Sequence, residues 1–179
     1  HYKPCKASQI RVSTLFGAAF YHPSVMFNAS LMKAGNYNYN PDFRKAQDYE
    51  LWSRIVWGNE VANLKEALVC YRSSKKQASH THHGEQVNNV KTICSIMFED
   101  NLKWNVNELE KKSHFSIIAD AKYAISKVDD IVKWSHRLYQ LVCSRNDLDS
   151  GYFIKIYKRC WIAACRSSLP MKKRFYVYR

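Results

Sequence analysis

The stretch KAQDYELW, residues 45–52, places one carboxylate, Asp48, between Gln47 and Tyr49 where a helical pattern begins. From Gln47 to Trp57 the apolar side chains Leu51, Trp52, Ile55 and Val56 recur three and four apart, and Gly58-Asn59 supplies a stop. The spacing predicts a helix with Asp48 in its first turn. An aspartate there has two possible uses. Its oxygens can accept from the free N–H groups of the first turn, or it can serve as a base, kept anionic by the helix N-terminus.

Upstream, SQIRVSTLF (8–16) offers a serine cap, Ile10, Leu15 and Phe16, with Gly17 as a stop, which predicts a short helix. FYHPSVMF (20–27) reads as extended, because Pro23 biases His22 toward the β region and Val25 to Phe27 favour a strand. SLMKAG (30–35) is a helical turn closed by Gly35, and NYNYNPDF (36–43) is a loop turned by Pro41. Downstream, EALVCYR (66–72) reads as a strand.

After SSKKQASHTHHG (73–84) the pattern is helical to the end. One apolar stripe runs through Val87, Val90, Ile93, Cys94 and Met97. A second runs through Val128, Ile131, Val132, Ser135, Leu138, Tyr139 and Val142, opened by a capping box from Ser126 to Asp129. Asp149 is placed to cap a last helix carrying Phe153, Ile154, Tyr157, Cys160, Trp161 and Cys165, with Pro170 beyond its end. Three such faces, buried together, predict a helical layer.

The bulk properties set limits on this reading. At 179 residues, 46% hydrophobic, the chain can bury a core. It has no apolar run near the roughly 18 residues of a membrane span and no signal-peptide core in HYKPCKASQI, so it is expected to be soluble and cytoplasmic. It starts at His1 without methionine, which suggests processing or a piece of a longer protein. Six cysteines without a C-x-x-C pair read as free thiols. The net charge is +13, and from Gly151 to Arg179 there are eight Lys or Arg and no acid, which implies an anionic neighbour.

Taken in order, LFG, HPSVMF, the turn ending at Gly35 before Tyr37, AQDYELWSR and ALVCYR resemble the downstream half of the catalytic domain of family-2 glycosyltransferases, the inverting enzymes of the GT-A fold. The resemblance covers about residues 5 to 79. It implies an α/β, mostly helical chain in which residues 1–79 are the acceptor-side half of a GT-A-like nucleotide-diphospho-sugar transferase, with a helical extension over 80–179. It also implies that Asp48 is the general base and that His22 stands near the active site. The family pattern has Glu-Asp where this chain has Gln47-Asp48, and often a histidine where it has Ser73 and Ser74. The family's upstream half, with its nucleotide-binding strands and Asp-x-Asp metal motif, is not found in these 179 residues. A divalent metal, Mg or Mn, would then be held mainly by residues absent here, and this chain alone would be inactive.

Inverting sugar transfer needs a base to take the proton from an acceptor hydroxyl as it attacks the anomeric carbon. Rings beside that base suit the C–H faces of sugars. Tyr49 and Trp52 are candidates, although Trp52 shares a face with Ile55 and Val56 and reads as core before it reads as a ligand ring. His22, Arg44 and Gln47 complete the substrate-binding candidates; Arg44, with Lys45, could meet a diphosphate or stay solvated. His80, His82 and His83 lack zinc-ligand spacing and read as a polar loop. The basic C-terminal segment, 151–179, could lie on an anionic inner leaflet, with Phe153, Trp161 and Leu169 toward the lipid, or pack on the domain with its charges in water. It carries no helix-turn-helix or RNP-like pattern for nucleic acid.

The resulting expectation is part of a glycosyltransferase acting on a nucleotide-sugar donor and a glycan or lipid-linked acceptor, in polysaccharide or lipid-linked glycan synthesis, peripheral to the inner membrane face. The alternative is a non-catalytic basic helical module that binds an anionic membrane surface or another polyanion.

Overall fold

The computed structural model describes residues 3–70, 72, 83–118 and 126–168, with side chains in the last helix described as far as Ile162. It divides into two compact units, His1–Lys103 and Trp104–Arg179. The first contains α1 (Ala7–Thr14), α2 (Ala29–Ala34), α3 (Gln47–Ile55) and α4 (His83–Ile96), the last continued by a π-helical turn, Met97–Asn101. Two 3-10 turns, His22–Ser24 and Pro41–Phe43, punctuate it. The second unit contains α5 (Glu108–Ile118), α6 (Val128–Cys143) and α7 (Ser150–Ser168).

Among the described residues there is no strand. Val25 keeps an extended backbone, but Pro23 enters a 3-10 turn, where its fixed φ suits the first helical positions. Residues 66–70 and 72 form no strand either, and Leu68 is 72% exposed. A strand persists only where a neighbour takes its N–H and C=O groups, and no such pairing forms there among the described residues. The β component expected of the first half is therefore absent from the described residues. The helical part of the reading is seen directly.

The helix starts follow local chemistry. α1 begins after Lys6 with no side-chain cap, so Ser8 lies inside the first turn and does not cap it. Asn28 caps α2 by accepting from the Ser30 and Leu31 N–H groups. Gly35 follows α2 with ordinary helical torsion, and the left-handed residue is Asn36 at φ 48°. Gly35 is needed for a different reason: a Cβ there would come within 2.1 Å of the Tyr37 ring. Tyr37 in turn accepts from Asn59 Nδ2 at 2.9 Å, and the same amide donates to the Ile55 carbonyl at the end of α3. This fixes the start of the 36–43 loop to α3.

α3 is the most buried helix of its unit. Leu51, Trp52 and Ile55 form one cluster with Ala18, Phe20, Val25, Met32, Tyr37 and Val61, while Val56 packs with Ile10 and Ala19. Arg11 donates from Nε to the Val56 carbonyl at 2.8 Å and from Nη2 to the Asn59 carbonyl at 3.1 Å. A guanidinium on the last carbonyls of a helix also meets the negative end of its dipole. From the π turn, Asn101 Nδ2 donates to the Ser53 carbonyl at 2.9 Å.

In the second unit the buried face of α6 is Ile131, Trp134, Leu138 and Val142, narrower than the apolar stripe in the sequence. Val128 and Val132 stay 61% and 53% exposed, and Trp134 takes the core position, its Nε1 donating to Nδ1 of the buried His114 at 3.2 Å. The Ser126–Asp129 capping box does not form: the N-cap is Lys127, without a side-chain cap. α5 carries no simple apolar stripe, and its buried face includes Ser113, His114 and Ser116. The two serines donate back to Leu109 and Lys112 carbonyls, which lets their hydroxyls enter the interior. Arg137 of α6 pairs with Glu110 of α5.

Asp149 caps α7 as expected, its Oδ1 accepting from the Tyr152 N–H at 2.8 Å. Phe153 is 2% exposed and lies between Tyr139 and Tyr157, and Tyr157 stacks on Trp161 in turn. Tyr157 also hydrogen-bonds Ser135 of α6. Phe153 therefore faces protein and is not available to lipid. Exposed positions on the same helix are Ile154, Lys155, Lys158 and Arg159. Cys5, Cys70, Cys94, Cys143 and Cys160 are free thiols. The His80 and His82 region, Leu169 and the chain beyond Ser168 lie outside the described residues.

Replacing Phe153→Ala should cost about 3–5 kcal/mol, the usual range for a buried ring, and Asp149→Ala about 1 kcal/mol through loss of the cap. Urea unfolding of the two variants against wild type measures both.

Candidate active site

Asp48 is the second residue of α3 and is half-buried. Its Oδ1 accepts from the Tyr49 N–H at 2.8 Å, so the carboxylate does satisfy a first-turn donor. Oδ2 takes no hydrogen bond from the described residues. One oxygen is thus anchored and the other is free to accept a proton or a hydroxyl.

The neighbours of Asp48 come from the two loops that precede α3. Tyr39, in the NYNYNPDF loop, keeps its proton: partial burial and the Asp48 carboxylate push its phenol up. Its hydroxyl lies 2.9 Å from His22 Nε2, in the 3-10 turn. The His22 ring stands edge-on to Trp52 with centroids 6.1 Å apart. Phe27 stacks on the other part of Trp52 at 5.5 Å, and Phe20 meets it edge-on at 5.4 Å. The result is a continuous group, Phe27–Trp52–His22–Tyr39, ending at Asp48.

The expected site residues divide in this arrangement. His22 and Asp48 belong to the group. Trp52 is its buried floor, 1% exposed, and offers no face to a ligand. Tyr49 is also core: its hydroxyl donates to the Thr14 carbonyl at 2.8 Å and lies 3.5 Å from Cys94 Sγ. Gln47 opens α3 and is half-buried; Arg44 is exposed at the end of the Pro41–Phe43 turn. No hydrogen bond or ring contact joins either of them to this group among the described residues. Tyr39 and Phe27 escaped the sequence reading because each lies in a loop, where no periodicity marks which side chains converge. The hint was the unusual density of rings in residues 20–39.

Next to Asp48, the Glu50 carboxylate is not free for chemistry. Arg54 holds both its oxygens, at 2.7 and 2.9 Å, and donates further to the Asn38 carbonyl at 2.7 Å. This pair ties the loop to α3 a second time.

Among the described residues no three His, Cys, Asp or Glu side chains converge. Contrary to the reading that the sequence holds no Asp-x-Asp, one is present at Asp147-Leu148-Asp149, outside the residues that carry the resemblance, and both carboxylates are engaged: Arg145 holds Asp147 at 2.8 Å and Asp149 caps α7. No helix among them is long and apolar enough to cross a membrane.

In sequence, the chain is 32% identical over 95 residues to a protein of Haemophilus influenzae named an uncharacterized glycosyltransferase. The match covers 50% of this chain and 28% of that relative, so the chain spans well under a third of its length. No family model and no solved structure matches the chain.

Burial pushes the Cys94 thiol up to about 11, against a smaller opposing effect of the Tyr49 hydrogen bond. Thiolate is the reactive form, so at about pH 8 iodoacetamide should modify the exposed Cys70 and Cys143 before the others and leave Cys94 intact until the protein unfolds. Peptide mass spectrometry after timed labelling checks this.

Proposed function

We propose that this chain carries the acceptor side of a glycosyltransferase in which Asp48 is the general base. The observation that carries the reading is the state of Asp48: one oxygen is anchored on the Tyr49 N–H, and the other is free beside a group of exposed rings. A base must be held in place and still offer a lone pair to the incoming hydroxyl. Anchoring Oδ1 on the backbone restricts the carboxylate rotor, and Oδ2 takes no hydrogen bond from the described residues. The relationship to a named glycosyltransferase supports the same class of reaction.

In this reading an acceptor hydroxyl gives its proton to Asp48 Oδ2 as its oxygen attacks the anomeric carbon, and the nucleotide leaves from the opposite face with inversion. His22 and Tyr39 hold the acceptor side. Arg44 and Gln47 stand at the approach to α3, where they could meet a charged donor group. The donor nucleotide and its Mg or Mn ion would be held by residues outside this chain; when bound, the ion would neutralise the departing diphosphate. The acceptor is a glycan or a lipid-linked glycan.

A second reading is favoured by the exposed face of the second unit. There Ile154, Val128 and Val132 are exposed with Lys127, Lys133, Lys155, Lys158 and Arg159. That mixture suits the anionic surface of a membrane. It is compatible with the first reading, since an enzyme acting on lipid-linked acceptors works at such a surface.

In the longer protein that includes a donor site, Asp48→Asn should lower turnover by about 10²- to 10⁴-fold while leaving the fold intact. Near-normal turnover would remove Asp48 from the role of base.

A further inference from the structure

The rings around Asp48 are built in two layers. Trp52 is buried below, and above it Phe27 keeps 37% of its surface exposed and Tyr39 45%. Phe27 lies nearly parallel to the Trp52 indole, at an interplanar angle of 30°, so part of an aromatic face is held open to solvent by a rigid support. At the other end His22 and Tyr39 form a hydrogen-bonded pair, also exposed. Open apolar ring, paired hydroxyl and imidazole, and carboxylate succeed one another along one surface.

A second observation concerns the buried floor of this surface. Trp52 Nε1 is buried and has no hydrogen-bond acceptor among the described residues. A buried donor without a partner costs roughly 1–3 kcal/mol, and such groups in folded proteins are nearly always met by water or a ligand atom. The acceptor for this N–H is therefore a water or a group outside the described residues.

We propose that Phe27, His22 and Tyr39 form a platform that receives a pyranose ring of the acceptor, with Phe27 against the C–H face of the sugar and the His22–Tyr39 pair bonding its hydroxyls. This rests on the glycosyl-transfer reading for its direction toward Asp48, but it concerns binding and not turnover. A pyranose fits because it is amphipathic in the same sense as the surface: one face presents axial C–H groups and its rim presents hydroxyls that both donate and accept. Tyr39 suits the rim. Held protonated beside Asp48, its O–H can serve either as donor to a sugar oxygen or as acceptor from a sugar hydroxyl. A purely apolar ligand would leave this pair unmatched, and a flexible polyol would leave the Phe27 face uncovered.

The platform is tested on the 179-residue chain by following the Trp52 indole ¹⁵N–¹H resonance, assigned by its disappearance in Trp52→Phe. The indole lies 5.5 Å from the Phe27 ring and so reports any change over it. Titration with methyl β-glucopyranoside and methyl β-galactopyranoside up to about 50 mM should shift this resonance saturably for at least one of them, with a Kd of about 1–10 mM. Sorbitol at the same concentration should not. Phe27→Ala should weaken the affinity about tenfold and Tyr39→Phe about threefold, while Phe27→Tyr, which keeps a ring, restores it. Amide spectra with wild-type dispersion certify that the variants fold.

Absence of a shift with either pyranoside, an equal shift with sorbitol, or undiminished binding in Phe27→Ala would each overturn the platform. None of these outcomes bears on whether Asp48→Asn loses turnover in the longer protein. A working base with no sugar bound at Phe27 would remove the platform and leave the transfer reading standing. Sugar binding with a dispensable Asp48 would do the reverse.

Discussion

The first unit depends on the seating of α3. At its beginning the buried Tyr49 hydroxyl is fixed to the Thr14 carbonyl of α1, and at its end Arg11 of α1 covers the Val56 and Asn59 carbonyls. The two helices are therefore tied at both ends, with Leu51, Trp52, Ile55 and Val56 buried between the ties. Hydrogen bonds of this kind add modestly to net stability, but each would be expensive to leave unmade in the interior. A helix held this way cannot rotate, and Asp48, one residue before Tyr49, is carried to a defined place. The place of the residue is a consequence of core packing, and its own bond to the Tyr49 N–H then fixes the carboxylate.

The loops before α3 are held to it by a different set of contacts, and these assemble the site. Gly35 lets the Tyr37 ring close over the backbone, Asn59 fixes the Tyr37 hydroxyl, and the Arg54–Glu50 pair holds the Asn38 carbonyl. Tyr39 comes next in the chain, so its reach to His22 and Asp48 is set by anchors on either side of Asn38. Loops positioned by a rigid scaffold are where binding groups collect. Here the scaffold is a single short helix. The Arg54–Glu50 pair has a chemical consequence as well: it removes the nearest carboxylate from competition, so that Asp48 is the one acid in the first turn of α3 with an oxygen to offer.

The second unit uses aromatic contact in a way the first does not. Tyr139, Phe153, Tyr157 and Trp161 follow one another in ring contact from α6 along α7. The spacing of four along α7 puts successive rings on one face, and that face is consumed by internal packing. The lysines and arginine of the same helix are left outward. Charge and apolar surface on α7 are thus segregated, as expected of an amphipathic helix, but the apolar part of the face has a protein partner. Phe153 is buried and so takes no part in whatever those cations meet.

The sequence by itself determined the helices and their ends where the signals are local. The 3.6-residue periodicity of residues 47–57, the Asp149 cap, the turn before Tyr37 and the last basic helix follow from side chains within a few positions of one another. The resemblance of AQDYELWSR and its flanking motifs singled out Asp48 as a candidate, and half of the chain is 32% identical to a protein named an uncharacterized glycosyltransferase. What only the tertiary structure decided is anything that depends on partners far along the chain. Residues 66–72 have the composition of a strand, yet β-structure requires a neighbour, and among the described residues there is none. Val128 and Val132 fit the apolar stripe of α6, yet Trp134 and its bond to His114 turn another face inward. Trp52 is core, as its shared face with Ile55 and Val56 indicated, and Tyr49, a candidate ring for a ligand, is core too, whereas Phe27 and Tyr39, in loops without periodicity, supply the exposed surface. Periodicity reports which side chains share a face of one element, and only packing decides which face is covered and which is left for a ligand.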